Sequence, residues 1–146
     1  MIKYIFHTEG DEFGGMLSMA TPASTSFADQ LCYLYGGELA CIHPEDADYD
    51  SMCKTQFPTL EAVQETYPNY TFVYFDPTAT TYLDEFNHPE DNVVYVVGHD
   101  NYGFGDSDIS NGTKIKLRTL HPEPFEAHAF SCLSSAIQDR WSKKWQ

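Results

Sequence analysis

Short blocks of apolar residues alternate with amphipathic stretches along this chain. Five of these blocks have the length of strands and are rich in β-branched or aromatic residues. They are Ile2 to His7, Leu39 to Ile42, Tyr70 to Phe75, Val93 to Val97 and Thr113 to Thr119. The fourth block is apolar throughout, as expected of a parallel strand that helices cover on both faces. The fifth alternates between polar and apolar residues, which predicts a strand with one polar face near an edge or a ligand.

A first helix is predicted from apolar residues at helical spacing. This stripe consists of Phe27, Leu31, Leu34 and Tyr35. Ser24 or Ser26 is the expected N-cap, and Gly36-Gly37 is the expected end of the helix. The preceding Gly- and Ser-rich stretch, from Gly10 to Ser26, has little periodicity and is predicted to be a loop.

Three more helices follow from local signals. Thr59 is placed to cap one that ends before Pro68, and Thr81-x-x-Asp84 resembles a capping box that opens a short one. The longest begins near Pro124, with an apolar stripe at Phe130, Leu133, Ile137 and Trp141. The order of elements predicts one α/β domain over residues 1–146, with a mostly parallel sheet of about five strands and helices on both faces.

The composition adds limits to this picture. No apolar run approaches the roughly 18 residues of a membrane helix, and the start of the chain is too short for a signal peptide, so a cytoplasmic protein is expected. The widely spaced cysteines predict buried thiols and no zinc or redox centre. They are Cys32, Cys41, Cys53 and Cys132. The histidines show no metal-ligand spacing, so no metal is expected.

The charge is −14, and it is unevenly distributed. Residues 1–111 hold only Lys3 and Lys54 against 19 acidic residues. The basic residues of the last quarter are Lys114, Lys116, Arg118, Arg140, Lys143 and Lys144. Two explanations stand at this point: the basic residues at the end of the final helix complement its dipole, or they form a basic functional face.

The loop after the most apolar strand is the most distinctive segment. It runs Gly98-His99-Asp100-Asn101-Tyr102-Gly103. Ligands of open α/β sheets bind at the carboxyl ends of strands, and a glycine there permits close approach of the backbone. The second glycine of a dinucleotide fingerprint is missing, and there is no Walker motif. A tight turn explains the same residues.

This segment, with the strand Ile115 to Thr119 and the helix from Phe125 onward, resembles the C-terminal part of SPOUT-class RNA methyltransferases of the SpoU or TrmH-like group. That family has an apolar strand ending in Gly-x-Glu-x-x-Gly, a strand of the Ile-x-Ile-Pro type, and a final helix that begins around Ser-Leu-Asn. The resemblance implies a trefoil-knotted α/β fold, a homodimer, and S-adenosylmethionine as cofactor. It also implies methylation of a tRNA or rRNA ribose.

The resemblance carries over to individual positions. It implies that the adenosyl group lies against Asp76, Gly98, His99, Gly103, Leu117 and Glu126. Asp100 stands where the family has Glu and would orient the loop, while Arg118 or His128 would assist the ribose hydroxyl. Methyl transfer depends mainly on alignment of the reacting atoms, so it does not require a conspicuous catalytic pair.

The sequence also departs from the family. Arg118 or Thr119 replaces the Pro of the third motif, and the early Asn-x-Gly-x-x-x-Arg signature has no match around Thr21 to Gln30. One alternative is therefore a catalytically inactive SPOUT-like domain that binds a protein partner through its acidic surface. Another is a flavodoxin-like carrier, although Thr8-Glu9-Gly10-Asp11 lacks the phosphate-binding residues that FMN requires. The methyltransferase is the preferred hypothesis.

Overall fold

The computed structural model describes residues 1–7, 22–42, 55–98, 104–120 and 129–144. They form one seven-stranded sheet. The strands are β1 (Ile2–His7), β2 (Gly37–Ile42), β3 (Thr55–Phe57), β4 (Thr71–Phe75), β5 (Thr81–Tyr82), β6 (Val93–Val97) and β7 (Thr113–Lys116). The helices are α1 (Pro22–Leu34), α2 (Leu60–Thr66) and α3 (Ala129–Lys144), and a 3-10 turn, Leu83–Glu85, follows β5.

The strands pair in parallel throughout, in the order β3-β2-β1-β6-β4-β7-β5. The predicted α/β class with a parallel sheet is confirmed, but the count of about five strands is wrong. The two additional strands are β3 and β5, with three and two residues. Such short segments carry no hydrophobic pattern of their own, and they are strands only because a neighbouring strand pairs with them.

The strand order also decides against one alternative. The five longer strands run β2-β1-β6-β4-β7 across the sheet, so the fourth of them in sequence lies beside the first. In a flavodoxin the third strand occupies that place, because the order there is 2-1-3-4-5. The flavodoxin-like hypothesis is therefore wrong at the level of topology.

Helices cover both faces of the sheet, and β6 shows this most clearly. Val93, Tyr95 and Val97 pack on the face that α1 and α3 cover. Val94 and Val96 pack on the opposite face, which α2 covers. All five side chains are at most 1% exposed, and burial of each valine contributes about 1.5–3 kcal/mol. The predicted central strand is confirmed, with β1 and β4 as its neighbours.

Helix α1 differs from its prediction in its start and in its buried side. It begins at Pro22, so the loop prediction is wrong for residues 22–26, whereas residues 10–21 lie outside the described ranges. Ala28 and Cys32 are buried, while Phe27 and Leu34 of the predicted stripe are 61% and 72% exposed. Leu31 and Tyr35 of the stripe are partly buried and pack against the core beside these small side chains, so the stripe is confirmed in part. Gly36, at φ +77°, ends the helix as predicted.

Helix α2 follows its prediction, because the Thr59 hydroxyl accepts a hydrogen bond from the Ala62 amide at 3.2 Å. The predicted capping box at Thr81 is wrong. Thr81 instead pairs with β7, and no side chain caps the 3-10 turn that follows. Strand β7 ends at Lys116, three residues earlier than predicted.

Helix α3 is the longest described element, as predicted, with 16 residues. Leu133 and Ile137 of its stripe are buried, and Trp141 is 39% exposed. The buried thiols expected from the sequence are found at Cys32, Cys41 and Cys132, while Cys53 lies outside the described residues. None of the described helices has the length and apolar character needed to cross a membrane.

Candidate functional site

The candidate site lies where β6, β4 and β7 end side by side. Phe75 is in register with Val97 on one neighbour and with Ile115 on the other. The Asp76 amide donates to the Ile115 carbonyl at 3.0 Å. The residues that follow these strand ends therefore share one edge of the sheet, the carboxyl edge, where open α/β sheets bind ligands. The predicted cofactor residues brought to this edge are Asp76, Gly98 and Leu117.

The Asp76 side chain shapes the loop after β4. Its Oδ1 accepts hydrogen bonds from the Thr78 amide at 2.8 Å and from the Thr78 hydroxyl at 2.7 Å. The Asp76 carbonyl accepts from the Ala79 amide at 3.0 Å, and Ala79 is buried. These bonds form a turn of the type that Asp favours. Asp76 thus fixes the backbone at the edge of the site.

The described part of this edge suits a nucleoside. Gly98, the residue that follows β6, is half-buried and has no side chain to block the approach of a ligand to its backbone. Leu117 is partly buried and packs against the core cluster on the α1/α3 face, which includes Leu83. Ligand sites of this kind combine apolar walls with a few backbone donors and acceptors. Gly98 and Leu117 are therefore compatible with the adenosyl group that the resemblance implies, and their contact with it stays a prediction.

Arg118 lies at the outer end of the same edge, in contact with the 3-10 turn. Its Nε is 3.1 Å from Asp84 Oδ1, and its Nη2 is 2.7 Å from Glu85 Oε1. Its Cζ lies 4.0 Å from the centroid of the Tyr82 ring. The hydrogen bond from Arg118 lowers the pKa of the Asp84 carboxyl below its ordinary value. The guanidinium is thus held in one orientation, and its role in catalysis stays a prediction.

The remaining predicted site residues lie outside the described residues. They are His99, Asp100, Gly103, Glu126 and His128. The first three follow Gly98 directly, and the other two precede α3. Their roles stay predictions. Across the part of the chain that the structure describes, no group of three or more His, Cys, Asp or Glu side chains is placed to hold a metal ion.

Sequence reasoning missed the residues that anchor the connection from β6 to β7. The Tyr74 hydroxyl donates to Asn111 Oδ1 at 2.6 Å. Gln64 Nε2 donates to the Tyr74 hydroxyl at 3.0 Å and to the Asp108 carbonyl at 2.9 Å. Phe104 packs edge-on against Tyr74, with 5.4 Å between ring centroids. Local sequence patterns could not predict this cluster, because Gln64, Tyr74 and residues 104–111 belong to separate segments of the chain.

The basic residues at the end of α3 serve a structural purpose that neither sequence explanation anticipated. Arg140 donates to the Pro89 carbonyl, to the Glu90 carbonyl at 2.6 Å and to the Tyr95 hydroxyl at 3.1 Å. Lys143 Nζ donates to the Leu83 and Phe86 carbonyls, both at 2.9 Å. These two cations fasten α3 to the segment between β5 and β6.

No family model matches the sequence, and no curated protein matches it. Solved structures do match. A candidate RNA methyltransferase from Bacillus anthracis superposes with a TM-score of 0.75 at 15% identity, over 99% of this chain and 94% of that one. A structure that concerns the 2-OH methylation of C/U34 on tRNA gives a TM-score of 0.73 at 12% identity, over 99% and 97% of the two chains.

A third match is the SpoU methyltransferase AviRb from Streptomyces viridochromogenes. Its TM-score is 0.77 at 8% identity, and the match covers 99% of this chain and 60% of AviRb. AviRb has also been solved in complex with the cofactor AdoMet. At these identities the likeness is one of fold. The chain has the fold of the SpoU methyltransferases.

Proposed function

We propose that this protein is an S-adenosylmethionine-dependent RNA methyltransferase that acts on a ribose of tRNA or rRNA. The observation that carries the proposal is the strand order β1-β6-β4-β7, which brings Gly98, Asp76 and Leu117 to one carboxyl edge. The SpoU methyltransferases share this fold, and one of them was solved with AdoMet. The sequence motifs at β6 and β7 support the same conclusion independently.

In this proposal each part of the edge has a task. Gly98 leaves room for the adenosyl group, Leu117 gives it an apolar wall, and the turn at Asp76 holds the β4 loop in place. His99, Gly103 and Glu126 complete the pocket. The cofactor, when bound, would supply an electrophilic methyl group from its sulfonium. Transfer of that methyl group to the ribose oxygen would leave the cofactor as a neutral thioether.

The chain's own residues then have to align the ribose and remove its hydroxyl proton. Either a neutral His128 imidazole accepts that proton, or the proton passes to solvent water while the Arg118 guanidinium stabilises the developing oxyanion. Asp100 orients the loop after β6. Holding the ribose oxygen in line with the methyl donor supplies a large part of the rate acceleration of such a displacement.

The proposal also includes a homodimer with a C-terminal trefoil knot, located in the cytoplasm. The connection from β6 to β7 has to cross β4, and such a crossing is compatible with a knot. Helix α1 presents Phe27, Tyr33 and Leu34 at 61%, 81% and 72% exposure. Apolar surface of this kind marks association sites. Phe27 and Leu34 of the predicted core stripe are therefore assigned, together with Tyr33, to a subunit interface.

Sedimentation velocity tests the dimer. The wild-type chain should sediment at twice its monomer mass of 16.6 kDa. Phe27→Ser combined with Leu34→Ser should shift it to the monomer, whereas Gln30→Ser, an exposed control on the same helix, should not. A wild-type monomer at micromolar concentration would refute this part of the proposal.

The central experiment is calorimetric titration with S-adenosylmethionine and S-adenosylhomocysteine. Saturable micromolar binding is expected, and Gly98→Val should abolish it by filling the space left by the glycine. The control is Glu65→Val, near the end of α2 at the opposite edge of the sheet. Absence of binding by the wild-type chain would refute the methyltransferase assignment.

A second function is favoured by the ion pairs of Arg118 and by the charge of −14. A catalytically inactive domain of the same fold would bind a protein partner through its acidic surface. The two functions differ in one assay. Transfer of a labelled methyl group to unmodified tRNA or rRNA supports the enzyme, whereas cofactor binding without transfer to either RNA supports the binding domain.

A further inference from the structure

Some of the few cations of this acidic chain are engaged in contacts within the protein, and others lie on its surface. Lys54 lies outside the described residues. Lys3 pairs with Glu38, and Arg140 and Lys143 are engaged with backbone carbonyls. The remaining cations are Lys114, Lys116, Lys144 and Arg118, of which Arg118 is paired with Asp84 and Glu85. Three of these four belong to β7 or to the residues just after it.

Lys114 and Lys116 lie on one face of β7, and Arg118, just beyond its end, contacts the same aromatic ring as Lys116. Ile115 is fully buried in the core on the α1/α3 face, so its neighbours Lys114 and Lys116 point the opposite way. Lys116 Nζ is 5.2 Å from the Tyr82 ring centroid, and Arg118 Cζ is 4.0 Å from the same centroid. Alternate residues of a strand are about 6.6 Å apart. The cations therefore form a line, the β7 cationic stripe, which consists of Lys114, Lys116 and Arg118.

We propose that the β7 cationic stripe binds the phosphate backbone of the RNA substrate next to the cofactor edge. This inference rests on the proposed function. A surface with a net charge of −14 repels a polyanion except where positive charge is concentrated. The stripe is such a place, and Lys116 directly precedes Leu117 of the site. RNA held along the stripe is thus delivered to the edge where the methyl group is transferred.

Within the described residues, Lys114 and Lys116 keep their charge free of ion pairs, whereas Arg118 is partly neutralised by Asp84 and Glu85. Lys114 is exposed, and neither Lys114 nor Lys116 forms an ion pair with a described residue. Asp84 and Glu85 engage Nε and Nη2 of Arg118, and its contacts within the described ranges do not involve Nη1. This arrangement differs from the end of α3, where two of the three cations already serve the protein itself.

The test is RNA binding as a function of salt. A fluorescein-labelled 15-nucleotide oligouridylate is titrated with the full chain at several salt concentrations and followed by anisotropy. Each phosphate contact on a single strand contributes about 0.7 to the slope of log K against log salt. Lys114→Gln combined with Lys116→Gln should reduce that slope by about 1.4. Lys144→Gln removes the same kind of exposed charge from the end of α3 and should leave the slope almost unchanged.

Either of two results refutes the proposal that the β7 cationic stripe binds RNA. One is a wild-type chain that does not bind the oligonucleotide, and the other is a double variant with the slope of the wild type. Calorimetry with S-adenosylmethionine on the same proteins keeps the two proposals separate. If the chain binds the cofactor but fails the RNA test, only the proposed role of the stripe is refuted. If it binds RNA through the stripe but does not bind the cofactor, only the methyltransferase assignment is refuted.

Discussion

The His88 imidazole joins α3 to the centre of the sheet, because its Nε2 lies 2.6 Å from Asp139 Oδ2 and its Nδ1 lies 2.6 Å from the Tyr95 hydroxyl. The His88 side chain is 6% exposed and that of Asp139 is 18% exposed. Lys143 Nζ lies 2.7 Å from the same Asp139 oxygen. The Tyr95 ring stacks on Tyr4 with 5.4 Å between centroids. The long helix is therefore held by a buried polar network in addition to its apolar stripe.

We expect the stability of the protein to decrease as the pH falls below about 6.5. Burial lowers the pKa of His88 below its ordinary value of 6.5, although the hydrogen bond with Asp139 opposes the shift. The unfolded chain thus takes up a proton at a higher pH than the folded chain, and acid favours unfolding. His88→Gln, which does not titrate, should make the melting temperature less dependent on pH between about 5 and 6.5. Identical pH profiles for the two proteins would contradict this.

Arg140 should be more important for stability than its position near a helix end suggests. Its planar guanidinium bonds two carbonyls and the Tyr95 hydroxyl together, which a lysine cannot reproduce. Arg140→Lys should therefore cost about 1–3 kcal/mol of unfolding free energy in urea titrations. Lys144→Gln, in the same turn, should cost less than about 0.5 kcal/mol. Equal effects of the two substitutions would mean that the carbonyl contacts contribute nothing.

Two glycines in the connection from β6 to β7 should respond differently to alanine. A Cβ at Gly112 would collide with the Phe72 carbonyl and would lie 2.8 Å from Tyr74 Cε2. A Cβ at Gly105 would meet open space, although φ is +57° there. Gly105→Ala should thus cost only about 1–2 kcal/mol of backbone strain, and Gly112→Ala should cost more because β7 must also move away from β4. Chemical denaturation measures both, and a larger loss for Gly105→Ala would contradict the packing described.

The acidic neighbours of Arg118 should weaken RNA binding. Asp84 and Glu85 place negative charge beside the β7 cationic stripe. Asp84→Asn combined with Glu85→Gln should strengthen oligouridylate binding by a factor on the order of 3 to 10 at low salt, and less at high salt because of screening. Glu61→Gln combined with Glu65→Gln removes the same charge from α2 and serves as the control. An equal gain in both proteins would indicate a response to net charge alone.

Much of the secondary structure was predictable from local sequence. Val93–Val97 is a continuous apolar run, and it forms the buried central strand. Thr59 and Pro68 bracket α2, and Gly36 follows α1 with the left-handed backbone that favours glycine. In each case the deciding interaction involves residues within a few positions of one another, so the sequence pattern contains the information.

The candidate site was predictable only in part. The motif at Gly98 and the alternation along β7 indicated where a ligand and a polar face would lie, and Asp76, Gly98 and Leu117 do meet at one edge. The partners of Arg118 could not be predicted, because Asp84 lies 34 residues away in the chain. The contacts of Arg140 with Pro89 and Glu90 span 51 and 50 residues and could not be predicted for the same reason.

By itself, then, the sequence determined the five longer strands, the approximate positions of the described helices and the parallel sheet. Only the tertiary structure decided that β6 lies between β1 and β4, that the predicted core stripe of α1 is half exposed, and which cations remain on the surface. The physical reason is the distance along the chain over which each kind of interaction acts. Propensity, capping and hydrophobic periodicity act over a few residues, whereas strand order, helix rotation and ion pairing depend on contacts between segments that meet only when the chain is folded.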